Sequence, residues 1–555
     1  MVDYLVNILS LYGATDAFGV PGGVILDFIY ALSDKNSKIN PHLNYNEQMA
    51  GFAACGYAQA SGKPSVAYAT RGPGFCNMIT CIAEAYQESL PIIFITAHGN
   101  RSKYGTRFDN NQEIDAVELT RSITKYSATI DKEEDLSCIN TACETSLAGR
   151  KGPVVLDIAT TLWNKEITVD ITAIQNKHKK EESRFNSIID NIRERLKRAK
   201  RPVVLIGDGL RHSVDIGRLR SVAEKMIVPI LSSRGSQDFL CGINNYFGYI
   251  GSHGIRYSNF ILSKADYIIS IGNRLAFPLE SESFNHFAKN VSWTRIDIDK
   301  NEFLRKINNA HNVEVEAGSF IDYLFEKSIT IPASYQEWLK ICSEIKAKLF
   351  NSDCIAITDE LSEIISLNSI SSIYVTDAGN NEFWFSRAFE KVQKIGIVLS
   401  SKSFGTTGSA LGKAIGAYYA TRKPITCVIG DQGFQFNLQE LSFISQWKLP
   451  IEIVIINNSC SGMIADLERK RFGSFVHVSS TNGYNPIDIK GIAGVYKISY
   501  TNKIQHNLEQ LKLPVIIELK ETQEEGLIPF LPKGNQCQKM EPLLPDELYD
   551  YLEKL

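Results

Sequence analysis

Two apolar runs in the last third of the chain constrain its fold more than any other feature. Ile425 to Ile429 leads into Gly430-Asp431-Gln432-Gly433-Phe434-Gln435-Phe436-Asn437, and Ile451 to Ile456 leads into Asn457-Asn458. Short apolar runs bounded by turn residues and separated by an amphipathic stretch predict neighbouring parallel strands joined by a crossover. Such strands deliver the polar residues that follow them to one edge of a sheet. Asp431 and Asn458 then offer a carboxylate and an amide oxygen side by side. That pair suits Mg²⁺, which takes about six oxygens at roughly 2.1 Å and draws most of them from phosphate and water. Gly430 and Gly433 allow backbone N–H groups to approach a diphosphate, and a helix expected from near Asn437 adds its positive end. The alternative is an ordinary strand-turn-helix, with Gly and Asp chosen for the turn.

These residues resemble the thiamine diphosphate signature: a Gly-Asp-Gly, a gap of about two dozen residues and a paired Asn. Gln432 stands where the common form has Gly. The resemblance implies an acid elsewhere in the chain, placed against N1′ of the aminopyrimidine so that the 4′-imino group can take the C2 proton. Glu47 fits, because it follows His42 to Asn46 and opens a helix rich in small residues from Ala50 to Ala58. On its own it reads equally as a favourable charge in a first helical turn. It is followed by a strand pattern at Ser65 to Ala69, the turn Thr70-Arg71-Gly72-Pro73-Gly74, a helix from Phe75 to Tyr86 and a strand from Pro91 to Thr96. From Phe18-Gly19-Val20-Pro21-Gly22-Gly23 through Gln112-Glu113 to Arg121-Ser122-Ile123-Thr124-Lys125, the chain resembles the pyrimidine-binding domain of the acetolactate synthase-like family. The resemblance implies Glu47 as the activating acid, Gln112 as a second catalytic residue, and Pro21, Gly22, Thr70, Gly72, Pro73 and Asn77 as coenzyme contacts.

A chain of 555 residues suffices for about three domains. The expected fold is α/β: three consecutive parallel-sheet domains, pyrimidine-binding (1–165), central (185–345) and diphosphate-binding (352–520), then a tail (521–555). A polar run at Asn176 to Arg184 supplies the first linker. A 44% hydrophobic, 22% charged composition is that of a globular protein, and a net charge of −3 argues against nucleic acid as a partner. Eleven cysteines without Cys-x-x-Cys spacing predict reduced thiols in a cytoplasmic setting. No apolar run reaches the roughly 18 residues of a membrane span.

By the same resemblance, Asn380 and Asn381 contact the diphosphate, Gly405 and the Ser403 to Gly408 turn grip the aminopyrimidine, and Gly462-Met463 opens a mobile loop. Asp431, Asn458 and the carbonyl of Cys460 hold Mg²⁺. Thr407 replaces the methionine that usually wedges the coenzyme into its bent shape. FAD in the central domain stays open. Gly207-Asp208-Gly209, Ser252-His253-Gly254 and Gly272-Asn273-Arg274 are present, as are Asp297 and Asp299, but Leu275-Ala276-Phe277-Pro278 replaces the family's acidic-basic pair. The substrates implied are a 2-keto acid donor, most simply pyruvate, and a keto acceptor. Asn111 and Leu467 stand where acetolactate synthases carry Phe and Trp, Arg71 fills a usually small position, and two extra residues follow Gly105-Thr106. These changes predict a roomier, more polar acceptor site, suited to a nucleotide-linked keto-deoxysugar. The alternatives are acetolactate synthesis from two pyruvates, a simple 2-keto acid decarboxylase, which the lone His98 before Gly99 disfavours, and a non-catalytic relative. The family implies a homodimer or homotetramer with the site between subunits.

Overall fold

The computed structural model describes residues 1–99, 111–167, 182–276, 291–328, 335–352, 355–367, 371–504, 513–521 and 526–555. They form three units, each built on a six-stranded parallel sheet. The first holds β1 (Asp16–Gly19), β2 (Asn40–Leu43), β3 (Ser65–Tyr68), β4 (Ile92–His98), β5 (Tyr126–Ile130) and β6 (Val154–Ala159), in the order β2-β1-β3-β4-β6-β5. The second holds β7 (Pro202–Ile206), β8 (Ile230–Ser232), β9 (Tyr246–Tyr249), β10 (Tyr267–Ile271), β11 (Ser292–Asp297) and β12 (Ala310–Glu314), in the order β12-β11-β10-β7-β8-β9. The third holds β13 (Ile373–Thr376), β14 (Ile397–Leu399), β15 (Ile425–Gly430), β16 (Ile451–Asn457), β17 (Ser499–Thr501) and β18 (Val515–Lys520), in the order β14-β13-β15-β16-β18-β17. The first and third sheets therefore share one topology, as the expected likeness of the two outer domains requires.

Parallel strands covered on both faces read as continuous apolar runs. Every residue of β4 is buried, and in β15 and β16 all but the last. The two run directly beside each other, Ile425 opposite Ile451 through Gly430 opposite Ile456. In such sheets ligands bind beyond the carboxyl ends of the strands, where the strand order reverses. That reversal falls between β1 and β3, between β7 and β10, and between β13 and β15.

The outer units share a core. Helix Glu47–Ser61 packs against helix Ala410–Thr421 at backbone distance, and one apolar cluster joins both sheets. A Cβ on Gly56 would lie 2.1 Å from the Lys413 carbonyl oxygen, and one on Gly416 would lie 1.8 Å from that of Ala53. Beside this crossing Lys413 pairs with Glu84, both side chains wholly buried. The C-terminal segment turns back onto the central unit. Leu531, Cys537, Met540 and Leu552 enter its core, and Arg256 donates to the Met540 carbonyl at 3.0 Å.

Two local expectations change. The helix expected from Phe75 to Tyr86 is two, Pro73–Asn77 and Ile79–Glu88. The helix expected from near Asn437 begins at Asp431 and ends at Gln435, with the next at Glu440–Gln446. The linker expected at Asn176 to Arg184 lies mostly outside the described residues, as do Gly105-Thr106 and Phe277-Pro278. Among the described residues no helix is long and apolar enough to cross a membrane, and the described cysteines are free thiols.

Candidate active site

The first half-site lies at the β1/β3 switch point. Pro21-Gly22 leaves β1 and Thr70 leaves β3, and a Cβ on Gly22 would sit 2.4 Å from the Thr70 Cβ, so the loops touch because residue 22 has no side chain. Gly72 takes φ +64, and a Cβ there would meet the Gln112 carbonyl oxygen at 2.4 Å. This brings Gln112, left-handed at φ 61 and exposed, against the turn that starts helix Pro73–Asn77. Asn46 caps the helix that Glu47 opens, its side chain accepting from the Gln48 N–H at 2.8 Å. The half-buried Glu47 accepts from Asn77 Nδ2 at 2.9 Å. A Cβ on Gly74 would approach its Oε1 to 3.1 Å. Arg71 pairs with Glu113, which also accepts from the Gly99 N–H at 2.8 Å.

The second half-site lies at the β13/β15 switch point. Asp431 is buried, accepts from the Tyr484 hydroxyl at 2.6 Å, and is pushed up to about 6 by burial against the hydrogen bonds that oppose it. Gly433 exists for Asp377: a Cβ there would lie 2.3 Å from Asp377 Oδ2. The buried Asp377 accepts from the Gly408 N–H at 2.8 Å and the Ala410 N–H at 3.1 Å, and burial pushes its carboxyl up to about 7. It thereby fixes the Gly405 to Gly408 turn, where Gly405 and Gly408 have φ +69 and +83 and Thr407 is exposed.

The paired asparagines divide their work. Asn457 donates to Glu518 at 2.7 Å on β18, whereas Asn458 accepts from the Cys460 N–H at 3.2 Å across Ser459, itself left-handed at φ 51. Asn458, Cys460, Gly462, Asn380 and Asp466 line one cleft. Asn380 donates to Asp466 at 3.0 Å, and its own buried Oδ1 has no hydrogen-bond partner among the described residues. Asn381 instead donates to the Asp377 carbonyl at 2.7 Å, pinning the loop. Met463 and Gln432 are partly exposed beside these turns. Asp431 lies close enough to the segment after β16 for its charge to act on the Cys460 thiol, and a carboxylate, an amide oxygen and a carbonyl are the kind of sparse, hard donors that suit Mg²⁺ with a diphosphate. Tyr484, Asp466 and Asp377 escape sequence reasoning, since their partners are distant along the chain.

The β7/β10 switch point opens on a cavity that charged side chains partly fill. A Cβ on Gly207 would lie 2.1 Å from the Gly272 carbonyl oxygen, so these glycines serve close backbone contact between the two strand ends. Lys402 of the third unit reaches Asp208, which also pairs with Arg211 at 2.8 Å, and Arg211 pairs with Asp238 at 2.8 Å. Burial would raise Asp208, but Arg211 and Lys402 outweigh it and hold the carboxyl at about 2. Arg150 spans Asp299 and Glu302. The cavity left is about 250 Å³, below the roughly 300–1,000 Å³ that drug-sized ligands occupy.

Three family models match the chain: the N-terminal TPP binding domain of thiamine pyrophosphate enzymes over residues 1–119, the central domain over 189–324 and the C-terminal TPP binding domain over 377–518. A probable acetolactate synthase large subunit of Methanococcus aeolicus is 31% identical, with 82% of this chain and 80% of the relative covered. The acetolactate synthase large subunit of Cyanidium caldarium is 28% identical over 97% and 95%. Acetolactate synthase isozyme 2 large subunit of Escherichia coli (strain K12) is 26% identical over 97% and 98%.

Proposed function

Because the chain belongs to the thiamine diphosphate-dependent acetolactate synthase-like family, we propose that it decarboxylates a 2-keto acid, most simply pyruvate, and transfers the two-carbon unit to a keto acceptor larger than pyruvate. When bound, thiamine diphosphate supplies the carbon nucleophile and the electron sink. The residues of this chain do the rest. Glu47 would share a proton with N1′ of the aminopyrimidine, and Asn77 orients its carboxyl group. Asp431, Asn458 and the Cys460 carbonyl would hold Mg²⁺ with the diphosphate, and Asp377 fixes the Gly405 to Gly408 turn that would grip the aminopyrimidine. Gln112, which Gly72 brings against the turn opening helix Pro73–Asn77, would serve as the second catalytic residue. Pro21, Gly22, Thr70, Gly405 and Gly462-Met463 complete the cleft.

The observation that carries this reading is the pairing of two glycine-built half-sites at equivalent switch points of two sheets with the same strand order. Each supplies what the other lacks. Within one chain the described hydrogen bonds of Glu47 and of Asp431 stay within their own units. In this reading the two half-sites meet when a second copy docks, in a homodimer or a pair of dimers, as the family resemblance implies. Large apolar side chains near the clefts, Phe436 and Phe472 at 59% and 72% exposure, suit such a surface.

The larger acceptor rests on Asn111, Leu467 and Arg71, and a nucleotide-linked keto-deoxysugar is the class proposed. Acetolactate synthesis from two pyruvates is the second reading, favoured by the names of the relatives. Isotope-labelled pyruvate supplied alone and with a panel of keto sugars separates them by mass spectrometry. Adduct formation on a sugar supports the first reading, and rapid acetolactate formation that sugars leave unaltered supports the second.

A further inference from the structure

We infer that Glu440 is a positioning residue for the activating acid, holding from the third unit the loop that carries Glu47. Glu440 is wholly buried at the head of helix Glu440–Gln446, shortly after the Asp431 turn. Its Oε2 accepts from Asn44 Nδ2 at 3.0 Å and its Oε1 from the Tyr45 N–H at 3.0 Å. Those three residues are the whole link between β2 and Glu47. Asn44 is held on its other side by its N–H to the Gly19 carbonyl at 3.0 Å, and Asn46 caps the Glu47 helix. Glu440 thus grips one end of a short path whose other end is the acid.

The chemistry calls for a carboxylate. Two donors meet the two oxygens, one on each, and an ionised carboxylate accepts at both without donating, whereas an amide at this position would turn an NH₂ toward one of the donors. Burial pushes the Glu440 carboxyl up to about 7 against the hydrogen bonds that oppose the rise. Truncation would leave the Asn44 amide and the Tyr45 N–H without their acceptor and free the loop to shift. A displacement of about 1 Å costs a reaction on the order of 10²-fold. Because Glu440 follows the Asp431 turn, the contact also links the metal half-site of a chain to its own activating-acid half-site.

The inference rests on the reading of Glu47 as the activating acid, and hydrogen-deuterium exchange at C2 of the bound coenzyme tests both. Holoenzyme saturated with thiamine diphosphate and Mg²⁺ is quenched in acid and read by proton NMR. Glu440→Gln is expected to slow exchange per bound coenzyme by about 10²-fold. Asn44→Ala, which removes one of the two donors, covers the case in which the first variant does not fold and is expected to slow exchange by about tenfold. Glu440→Gln with Asn44→Asp reverses the polarity of one hydrogen bond and is expected to recover about tenfold of the lost rate. A residue that only stabilises the fold would lower the melting temperature and leave the exchange rate per bound coenzyme unchanged. That outcome, or a paired variant no faster than Glu440→Gln, overturns the inference. If Glu47→Gln exchanges at the parent rate, the reading of Glu47 falls and the inference with it. If Glu47→Gln is silent while Glu440→Gln keeps the parent rate, the inference alone falls.

Discussion

Lys413→Met leaves the Glu84 carboxylate wholly buried with its cation removed, at the crossing of helices Glu47–Ser61 and Ala410–Thr421. In the parent, burial works against the Lys413 charge, but Glu84 outweighs it and the ammonium pKa is raised. Removing one partner of a buried pair costs about 3–5 kcal/mol, because the remaining charge has lost its hydration and its counter-ion together. For a unit of this size, about 2–4 °C per kcal/mol turns this into a fall of about 6–20 °C in melting temperature. Lys413→Met with Glu84→Leu fills the same space without charge and is expected to recover most of that fall, since apolar replacement of a whole buried pair is often neutral. Differential scanning calorimetry of the holoenzyme at fixed protein and coenzyme concentration reads both variants. The pair also ties the helix after the Gly408 turn to the one that follows Gly72-Pro73-Gly74, so the single variant should weaken coenzyme binding too. A shift of less than about 2 °C for Lys413→Met, or a double variant as unstable as the single one, would refute the argument that this pair fixes the two outer units.

His98 is held between Asp157 at 3.0 Å and Asp131 at 2.8 Å, and although burial lowers its pKa, the two carboxylates outweigh that and raise it. Its contribution to stability is then full below about pH 6.5 and lost as pH rises through the higher folded-state pKa. His98→Gln should flatten that decline in denaturant titrations across pH, and an unchanged slope would count against the ion-pair role. Gly433→Ala drives a methyl group into Asp377 and is expected to cost about 1–3 kcal/mol and to weaken coenzyme binding. Gly494→Ala, with open space around its Cβ within a helix, should be neutral or stabilising. The protein purified without added flavin should show no flavin absorbance near 450 nm and no gain of activity on adding FAD, since Lys402 and Arg211 already engage Asp208 at the β7/β10 switch point; stoichiometric FAD would contradict this.

Much of this was legible because the signals are local. β15 and β16, their polar ends and the Gly72-Pro73 turn follow from short apolar runs and from residues with special backbone freedom, which a sequence displays within a few positions. The helix at Asp431 was not, because Gly433 lowers its propensity and the compensating contact is with Asp377, just past the end of β13. Asn457 and Asn458 are equivalent in sequence; only the β16/β18 pairing gives Asn457 to Glu518 and leaves Asn458 at the cleft. Tyr484, Asp466 and Glu440 were silent for the same reason: a hydrogen bond spanning 53, 86 or 396 positions leaves no periodic trace. The middle sheet shows the reverse. Its glycine turns resemble a nucleotide site, and a lysine from another unit, which no motif displays, pairs with the aspartate of the first turn.

The central claim is that a divalent ion at Asp431 and Asn458 clamps thiamine diphosphate in reach of Glu47. Isothermal titration of thiamine diphosphate into the protein, with and without Mg²⁺, tests it most directly. The account predicts saturable uptake of one coenzyme per chain that requires Mg²⁺, is lost in Asp431→Ala, and persists in Glu47→Gln. Uptake that ignores Mg²⁺, or that survives Asp431→Ala unchanged, would contradict it.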